Sequence, residues 1–218
     1  MKFGVCTWIF GDEPLEETCI RLAAQGYDGV ELPGDPSCLS LSGRSLTRYQ
    51  PAEVRRTLAR HGLAVLSITP GDVDLVDMAP AIRARALDYY LRLLDFAAAV
   101  GSPIVSCHGV VGRVRAYTTH REEYALFVQA VGTLARRAES LGLTIALECL
   151  NRYESHLLNT AEQALQCVCD VGSPAVGVLL DAYHANIEEA DPAGAIRAAG
   201  SRLALFHAAD SNRQAVGR

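Results

Sequence analysis

The sequence predicts an α/β fold, and specifically a (β/α)8 barrel of the TIM type. Strand-like apolar runs alternate with helical stretches along the 218 residues, and several helices are followed by a glycine and then by the next strand. This repeat is typical of successive right-handed βα units in a parallel sheet. Polar residues follow many of the strands, as expected of a barrel whose site is built from the loops at one end.

The individual elements are predicted from local patterns. Short apolar runs predict seven strands at Phe3–Trp8, Gly29–Leu32, Ala64–Ile68, Ile104–Cys107, Thr144–Leu147, Val176–Leu180 and Leu203–Phe206. Amphipathic segments predict six helices near Leu15–Gln25, Ala52–His61, Ala81–Val100, Arg121–Leu141, Ala161–Val171 and Pro192–Ala199. We expect left-handed residues at the helix ends Gly26, Gly62, Gly101, Gly142 and Gly172. Asn159 and Thr160 predict the N-cap of the helix that follows them.

A doubly wound sheet also alternates strands and helices, but it would carry a glycine-rich phosphate turn after its first strand. Residues 7–12 (TWIFGD) contain no G-x-G-x-x-G pattern, so the barrel is favoured. With no linker or low-complexity tract, residues 1–218 are predicted to form a single barrel domain. A complete barrel of this type has eight strands and about 250 residues. We therefore expect a truncated or partly ordered barrel, or one whose open edges a neighbour covers.

Composition and charge disfavour some classes of protein. Half of the residues are hydrophobic, and the net charge of -5 argues against binding to nucleic acid, which usually requires a basic patch. No apolar run approaches the roughly 20 residues that cross a bilayer, and no signal-peptide pattern precedes the first strand. A cytoplasmic protein is predicted. The seven cysteines form no C-x-x-C pair and are interpreted as small apolar side chains.

Three of the apolar runs end in a potential metal ligand: Glu148, Asp181 and His207. An unpaired carboxylate in an apolar setting is costly, and a divalent cation at one mouth of the barrel would compensate all three residues together. Taken singly, Glu148 fits a buried structural carboxylate, Asp181 a helix cap and His207 a hydrogen-bonded core histidine. Their joint occurrence at successive strand ends predicts a metal-dependent enzyme.

The residues around these ligands carry a resemblance. The segments ALECLNRYESHLLNTAEQA, LLDAYHANIEE and LFHAADSNRQAVGR resemble the xylose isomerase-like TIM barrels of the sugar phosphate isomerase and epimerase superfamily. The resemblance is strongest to the D-tagatose and D-psicose 3-epimerases, and it is sharpest over residues 144–218. It implies that the chain is a ketose 3-epimerase, an isomerase that inverts C3 through a metal-stabilised enediolate.

The resemblance also implies roles for particular residues. It makes Glu148, Asp181 and His207 ligands of a divalent metal, Mn²⁺, Co²⁺ or Mg²⁺, and it makes Glu148 a catalytic residue in the proton transfer. A fourth ligand of the family is a glutamate on strand eight, beyond Arg218. Residues expected to bind the sugar are Glu154, His184 and Arg213.

Two further residues are candidates for contact with the sugar because of their positions at strand ends. Trp8, at the end of the first strand, could form an apolar wall for the sugar, and His108, at the end of the fourth strand, could line the pocket. The remaining histidines, His61, His120 and His156, fall in helix or loop contexts and are predicted to be solvated.

Several alternatives stay open. A hydroxypyruvate isomerase or an inosose dehydratase of the same superfamily would share the metal ligands and differ around the substrate. An apurinic endonuclease of this barrel type would need extra histidine ligands and a basic face, which the acidic charge disfavours. A non-catalytic relic is the remaining alternative. The expected partner is a small-molecule sugar, with neither nucleic acid nor membrane, and the resemblance implies a homo-oligomer.

Overall fold

The computed structural model describes residues 1–34, 50–214 and 216–217. Within them, seven strands are β1 Gly4–Cys6, β2 Gly29–Gly34, β3 Ala64–Pro70, β4 Ile104–Cys107, β5 Thr144–Glu148, β6 Val176–Asp181 and β7 Leu203–His207. The α-helices are α1 Leu15–Ala24, α2 Pro51–Arg60, α3 Pro80–Val100, α4 His120–Leu141, α5 Ala161–Val171, α6 Ala182–Glu188 and α7 Pro192–Ala199. Short 3-10 helices lie at Thr7–Phe10 and Gly200–Arg202. None of the helices in these residues is long and apolar enough to cross a membrane.

The strands are parallel and follow one another in the sheet in chain order, from β1 to β7. The carboxyl ends of parallel strands meet at one edge, so the residues that end β5, β6 and β7 share that edge. Every predicted strand is present, and the predicted parallel arrangement is confirmed. In the described residues, the sheet has one strand fewer than a closed (β/α)8 barrel.

The chain divides into two compact units. The first consists of Met1–Asp72 and Tyr89–Val105, and the second of Val73–Asp88 and Ser106–Arg218. The first unit buries Val30 and Ile68 of the sheet together with Leu22 of α1 and Leu58 of α2. The second unit buries the whole of β6, and Phe127, Leu134 and Leu147 are fully enclosed there. That residues 1–218 form a single domain stays a prediction.

Helix ends follow local sequence rules. The five glycines expected to be left-handed all have positive φ angles, between 68° and 82°. Thr160 caps α5 through a capping box: its side chain accepts from the Gln163 backbone N–H, and the Gln163 side chain accepts from the Thr160 N–H. Both predictions are therefore confirmed.

Two elements differ from the sequence prediction. The first strand ends at Cys6, and Thr7–Phe10 form a 3-10 helix. The prediction of a strand over Phe3–Trp8 is therefore wrong beyond Cys6, because an apolar run alone does not distinguish a strand from a short helix. Helix α6 was not predicted, because seven residues are too few to show a helical periodicity. It begins directly after Asp181, whose side chain accepts from the Tyr183 N–H.

Gly109, in the loop after β4, provides a test of packing in the second unit. Its φ is +77°, and an added Cβ would lie 2.6 Å from Phe127 and 2.7 Å from Leu157. We expect Gly109→Ala to lower the free energy of unfolding by about 1–2 kcal/mol for the backbone and about 1–3 kcal/mol more for overpacking.

Gly112 supplies the matched control, because its φ is +75° and nothing would lie within 4 Å of an added Cβ. Gly112→Ala should therefore show the backbone cost alone. Urea unfolding of both variants measures the difference, and equal losses would contradict the packing account.

Candidate metal and sugar site

The register of the sheet brings the ligand candidates together. Asp181 and His207 are direct partners across β6 and β7, and Glu148 ends the neighbouring strand β5. His207 Nδ1 lies 3.6 Å from Glu148 Oε1 and 3.9 Å from Asp181 Oδ2. Both carboxylates are buried, each 5% exposed. Two buried carboxylates therefore face one imidazole nitrogen, which is a donor set suited to the harder divalent ions.

The two carboxylate oxygens of Asp181 make different contacts. Oδ1 accepts a hydrogen bond of 2.7 Å from the Tyr183 N–H and caps α6, while Oδ2 faces His207. The alternative interpretation of Asp181 as a helix cap is therefore correct for one oxygen. The other oxygen is directed to the ligand cluster, so the two interpretations are compatible.

Glu148 lies between two histidines. Its Oε2 is 2.8 Å from His108 Nε2, and its Oε1 faces His207. Burial raises the pKa of Glu148, but the charge and hydrogen bond of His108, followed by those of His207, outweigh burial and leave the pKa well below its usual value. Glu148 is therefore ionised at physiological pH, as a metal ligand or a proton acceptor must be.

A second group of potential ligands shares the two carboxylates. One ligand atom each of Glu148, Asp181 and His184 lies within 4.8 Å of the others. Distance alone thus leaves His184 and His207 as competing third ligands. Their hydrogen bonds discriminate between them.

The tautomer of His184 is determined by Asn151. The backbone N–H of Asn151 donates to His184 Nδ1 at 3.2 Å, and the Asn151 side-chain amide lies 2.8 Å from the same nitrogen. The Tyr153 N–H donates to Asn151 Oδ1, which orients the amide with its NH2 group toward His184. Because Nδ1 accepts from the Asn151 backbone, the neutral ring is assigned its proton on Nε2, and the 3.3 Å contact of Arg213 Nη2 with Nε2 is then one between two donors.

This tautomer disfavours His184 as a metal ligand. Metal-binding histidines commonly donate their second ring N–H to an acceptor, and here the second nitrogen is itself an acceptor. Burial is the largest influence on the pKa of His184 and lowers it, although the charges of Asp181 and Glu148 oppose that shift. The ring is therefore a neutral Nε2–H donor, and His207 is the better third ligand.

The three residues expected to bind the sugar lie together beside the carboxylates. Arg213 Nη2 is 3.4 Å from Glu154 Oε1 and 3.3 Å from His184 Nε2. The Arg213 guanidinium stacks 4.0 Å above the Tyr183 ring, and the backbone of Arg213 has an unusual positive φ of 61°. Asn151 Nδ2 donates to Glu154 Oε1 at 2.8 Å, so one side chain contacts both His184 and Glu154.

The remaining candidates have different surroundings. His108 contacts Glu148, and its contact with a sugar stays a prediction. Trp8 lies on the 3-10 helix of the first unit and is 64% exposed, and its role also stays a prediction. His156 is not solvated as expected, because its side chain is 8% exposed and contacts Glu123.

Sequence reasoning missed Asn151 and Tyr183 as parts of the site. Tyr183 stands next to His184, and Asn151 lies three residues from both Glu148 and Glu154, but nothing in the residue pattern gave either of them a role. Their contributions are a tautomer and a stacking contact, which depend on side-chain geometry.

Comparison with known proteins identifies the family. A family model described as the xylose isomerase-like TIM barrel matches residues 20–218. The match covers most of the chain, so the chain belongs to the xylose isomerase-like TIM barrel family. The fold class and the family expected from the sequence are confirmed.

Relatives of this chain include proteins named as epimerases. A D-psicose 3-epimerase of Enterocloster bolteae is 31% identical over 91% of this chain and 66% of the relative. A ketose 3-epimerase of Arthrobacter globiformis is 31% identical over 100% of this chain and 74% of the relative. A crystal structure of D-psicose 3-epimerase in the presence of D-fructose has a TM-score of 0.86 at 28% identity, covering 100% of this chain and 76% of that one. The chain spans about two thirds of the length of the first of these relatives.

The His184 tautomer can be measured directly. In ¹⁵N-labelled, metal-free protein at pH 7, long-range ¹H–¹⁵N correlation spectra should show a protonated Nε2 and an unprotonated Nδ1 for His184. A ring protonated on Nδ1 would contradict the hydrogen bond from the Asn151 backbone N–H.

The choice of third ligand gives a separate prediction. In the full-length protein, His207→Ala should weaken Mn²⁺ binding by about 100-fold or more, since it removes a ligand and not merely a supporting residue. His184→Ala is the matched control. It should leave the Mn²⁺ affinity within about ten-fold of the wild type, which is the smallest loss that removal of a supporting residue usually causes. Calorimetric titration measures both affinities, and a larger loss for His184→Ala would reverse the assignment.

Proposed function

We propose that this chain forms the metal and sugar site of a divalent-metal-dependent ketose 3-epimerase. The observation that carries the proposal is His207 Nδ1 facing the buried carboxylates of Glu148 and Asp181. The names of the relatives, D-psicose 3-epimerase and ketose 3-epimerase, support the reaction class. An isomerase of this class was also the expectation from the sequence.

The metal would be held by Glu148, Asp181 and His207. Carboxylate oxygens with a single imidazole favour Mn²⁺, Co²⁺ or Mg²⁺ over ions that prefer thiolates. The chemistry that such an ion supplies when bound is Lewis-acid stabilisation of negative charge on substrate oxygens. The buried carboxylates provide the opposite charge that retains it.

Glu148 transfers the proton at C3 of the ketose. The hydrogen at this carbon is acidified by the neighbouring C2 carbonyl, and an ionised carboxylate can accept it. The contact of His108 Nε2 with Glu148 Oε2 orients the carboxylate and helps to keep it ionised. Inversion requires a proton donor on the opposite face, and the family resemblance assigns this role to a glutamate on an eighth strand.

His184, Arg213 and Glu154 orient the reacting end of the sugar. His184 Nε2 and Arg213 Nη2 are both donors and lie 3.3 Å apart, so each can donate to one shared acceptor oxygen of a substrate. Glu154 Oε1 accepts from Asn151 Nδ2 and can also accept from a sugar hydroxyl. Two donors beside an acceptor complement a carbonyl next to a hydroxyl-bearing carbon.

The sugar-orienting residues favour an epimerase over the alternatives. A hydroxypyruvate isomerase or an inosose dehydratase would share the metal ligands, and it is the family resemblance that assigns Glu154, His184 and Arg213 to the ketose reaction. The net charge of -5 disfavours an endonuclease. A cytoplasmic location and a homo-oligomer belong to the proposal as further expectations.

Isotope exchange tests the reaction. Full-length, Mn²⁺-loaded protein in D2O should invert free ketoses such as D-fructose, D-psicose or D-tagatose at C3 and incorporate deuterium at that carbon, as followed by NMR. Glu148→Gln should reduce both processes by roughly 10²–10⁴-fold or more while the circular dichroism spectrum stays unchanged.

The exposed carboxylate of Glu162 on α5 supplies the control, and Glu162→Gln should retain full activity. Measuring Mn²⁺ affinity in the same variants separates loss of the metal from loss of proton transfer. Retained epimerisation by Glu148→Gln, or deuterium at another carbon, would refute the mechanism. Failure of the full-length protein to bind Mn²⁺ would favour a non-catalytic relic.

A further inference from the structure

A buried ionic cluster lies in the second unit, apart from the ligand candidates. We call it the Glu123 cluster, and it comprises Asp74, Arg113, Glu123 and His156. The Glu123 side chain is 0% exposed, and its Oε2 accepts from Arg113 Nη1 at 2.7 Å and contacts His156 Nε2 at 2.8 Å. Its Oε1 accepts from the Tyr117 N–H at 2.6 Å. Arg113 also donates to Asp74 Oδ2 at 3.0 Å.

Glu123 and Arg113 hold each other in their charged states. Burial raises the pKa of Glu123, but the hydrogen bonds from Arg113 and the Tyr117 N–H outweigh it and lower the pKa. Burial lowers the pKa of Arg113, and Glu123 and Asp74 reverse that shift. Removing one charge therefore leaves a buried partner uncompensated.

The cluster is joined by backbone contacts to the segment that carries Glu154. The Gly112 N–H donates to the Glu154 carbonyl at 2.8 Å, and Arg113 forms a parallel β-bridge with Ser155. His156 Nδ1 lies 2.9 Å from the Arg113 carbonyl, so both ring nitrogens of His156 contact the cluster. Residues 112–113 thus lie along residues 154–156.

We propose that Arg113, Glu123 and His156 are positioning residues that fix the backbone of Glu154 and thereby place its carboxylate in the sugar site. This inference rests on the proposed function, in which Glu154 binds the sugar. The cluster acts through Glu154 and neither binds the metal nor contacts the reacting carbon. Its effect therefore falls on sugar binding and orientation, and metal binding is independent of it.

Glu123→Gln tests this role, because it keeps the shape of the side chain and removes the charge. Arg113→Lys is a second, milder variant, since a lysine cannot donate to Glu123 and Asp74 with the same fork geometry. In the full-length, Mn²⁺-loaded protein, we expect both variants to raise KM for the ketose and to lower kcat/KM by roughly 10- to 100-fold. Mn²⁺ affinity should stay within about two-fold of the wild type, because none of the proposed ligands Glu148, Asp181 and His207 belongs to the cluster.

Tyr124→Phe is the matched control on the same helix. The Tyr124 hydroxyl donates to Asp170 Oδ2 on α5, so this variant perturbs α4 without touching the segment 112–113. Its KM should equal that of the wild type. Hydrogen exchange gives a readout without turnover: the Gly112 amide should exchange faster in Glu123→Gln and remain protected in Tyr124→Phe.

A double-mutant cycle distinguishes positioning from a general structural role. In a Glu154→Gln background, adding Glu123→Gln should change kcat/KM by no more than about two-fold, because the residue that it positions is already lost. Additive losses, an unchanged KM in both Glu123→Gln and Arg113→Lys, or a parallel loss of Mn²⁺ affinity would each overturn the inference. If the wild type inverts no ketose at C3, the proposed function itself fails. If the wild type is active and the variants have the same KM and kcat/KM as the wild type, only the positioning role is overturned.

Discussion

Mutual compensation of buried charge at three adjacent strand ends is the constraint on which the site depends. Glu148 and Asp181 are carboxylates inside an apolar sheet edge, where isolated charges are costly. The imidazoles of His207 and His108 and the N-terminal turn of α6 face these two groups. Because parallel pairing places the strand ends side by side, the fold itself concentrates ionisable groups at the position where a cation is useful.

Around this centre, polar groups are arranged in successive layers. Asn151 contacts His184 and Glu154, Tyr183 stacks on Arg213, and residues 112–113 beside the Glu123 cluster pair with the backbone of residues 154–155. Each layer satisfies the hydrogen-bonding groups of the one inside it, which keeps side chains in a single geometry before a ligand arrives. Preorganisation of this kind would reduce the ordering cost of binding the proposed sugar.

Features that repeat along the chain could be predicted from the sequence. Apolar runs, helix-ending glycines and the threonine cap each have a local signature, so the seven strands and these helix ends could be predicted, while metal binding by Glu148, Asp181 and His207 stays a prediction. The 3-10 helix after Cys6 and the seven-residue α6 were missed because neither has a distinctive periodicity. The contact of His108 with Glu148 and the burial of His156 depend on tertiary packing, which residue spacing does not encode.

The double contact of Asn151 with His184 and Glu154 has a consequence for how specificity could diverge. One amide links two residues that are proposed to bind the sugar, so a shift of either residue disturbs the other. Under the proposed function, replacement of His184 or Glu154 would therefore be penalised twice. A change of substrate is then least costly at residues that Asn151 does not contact.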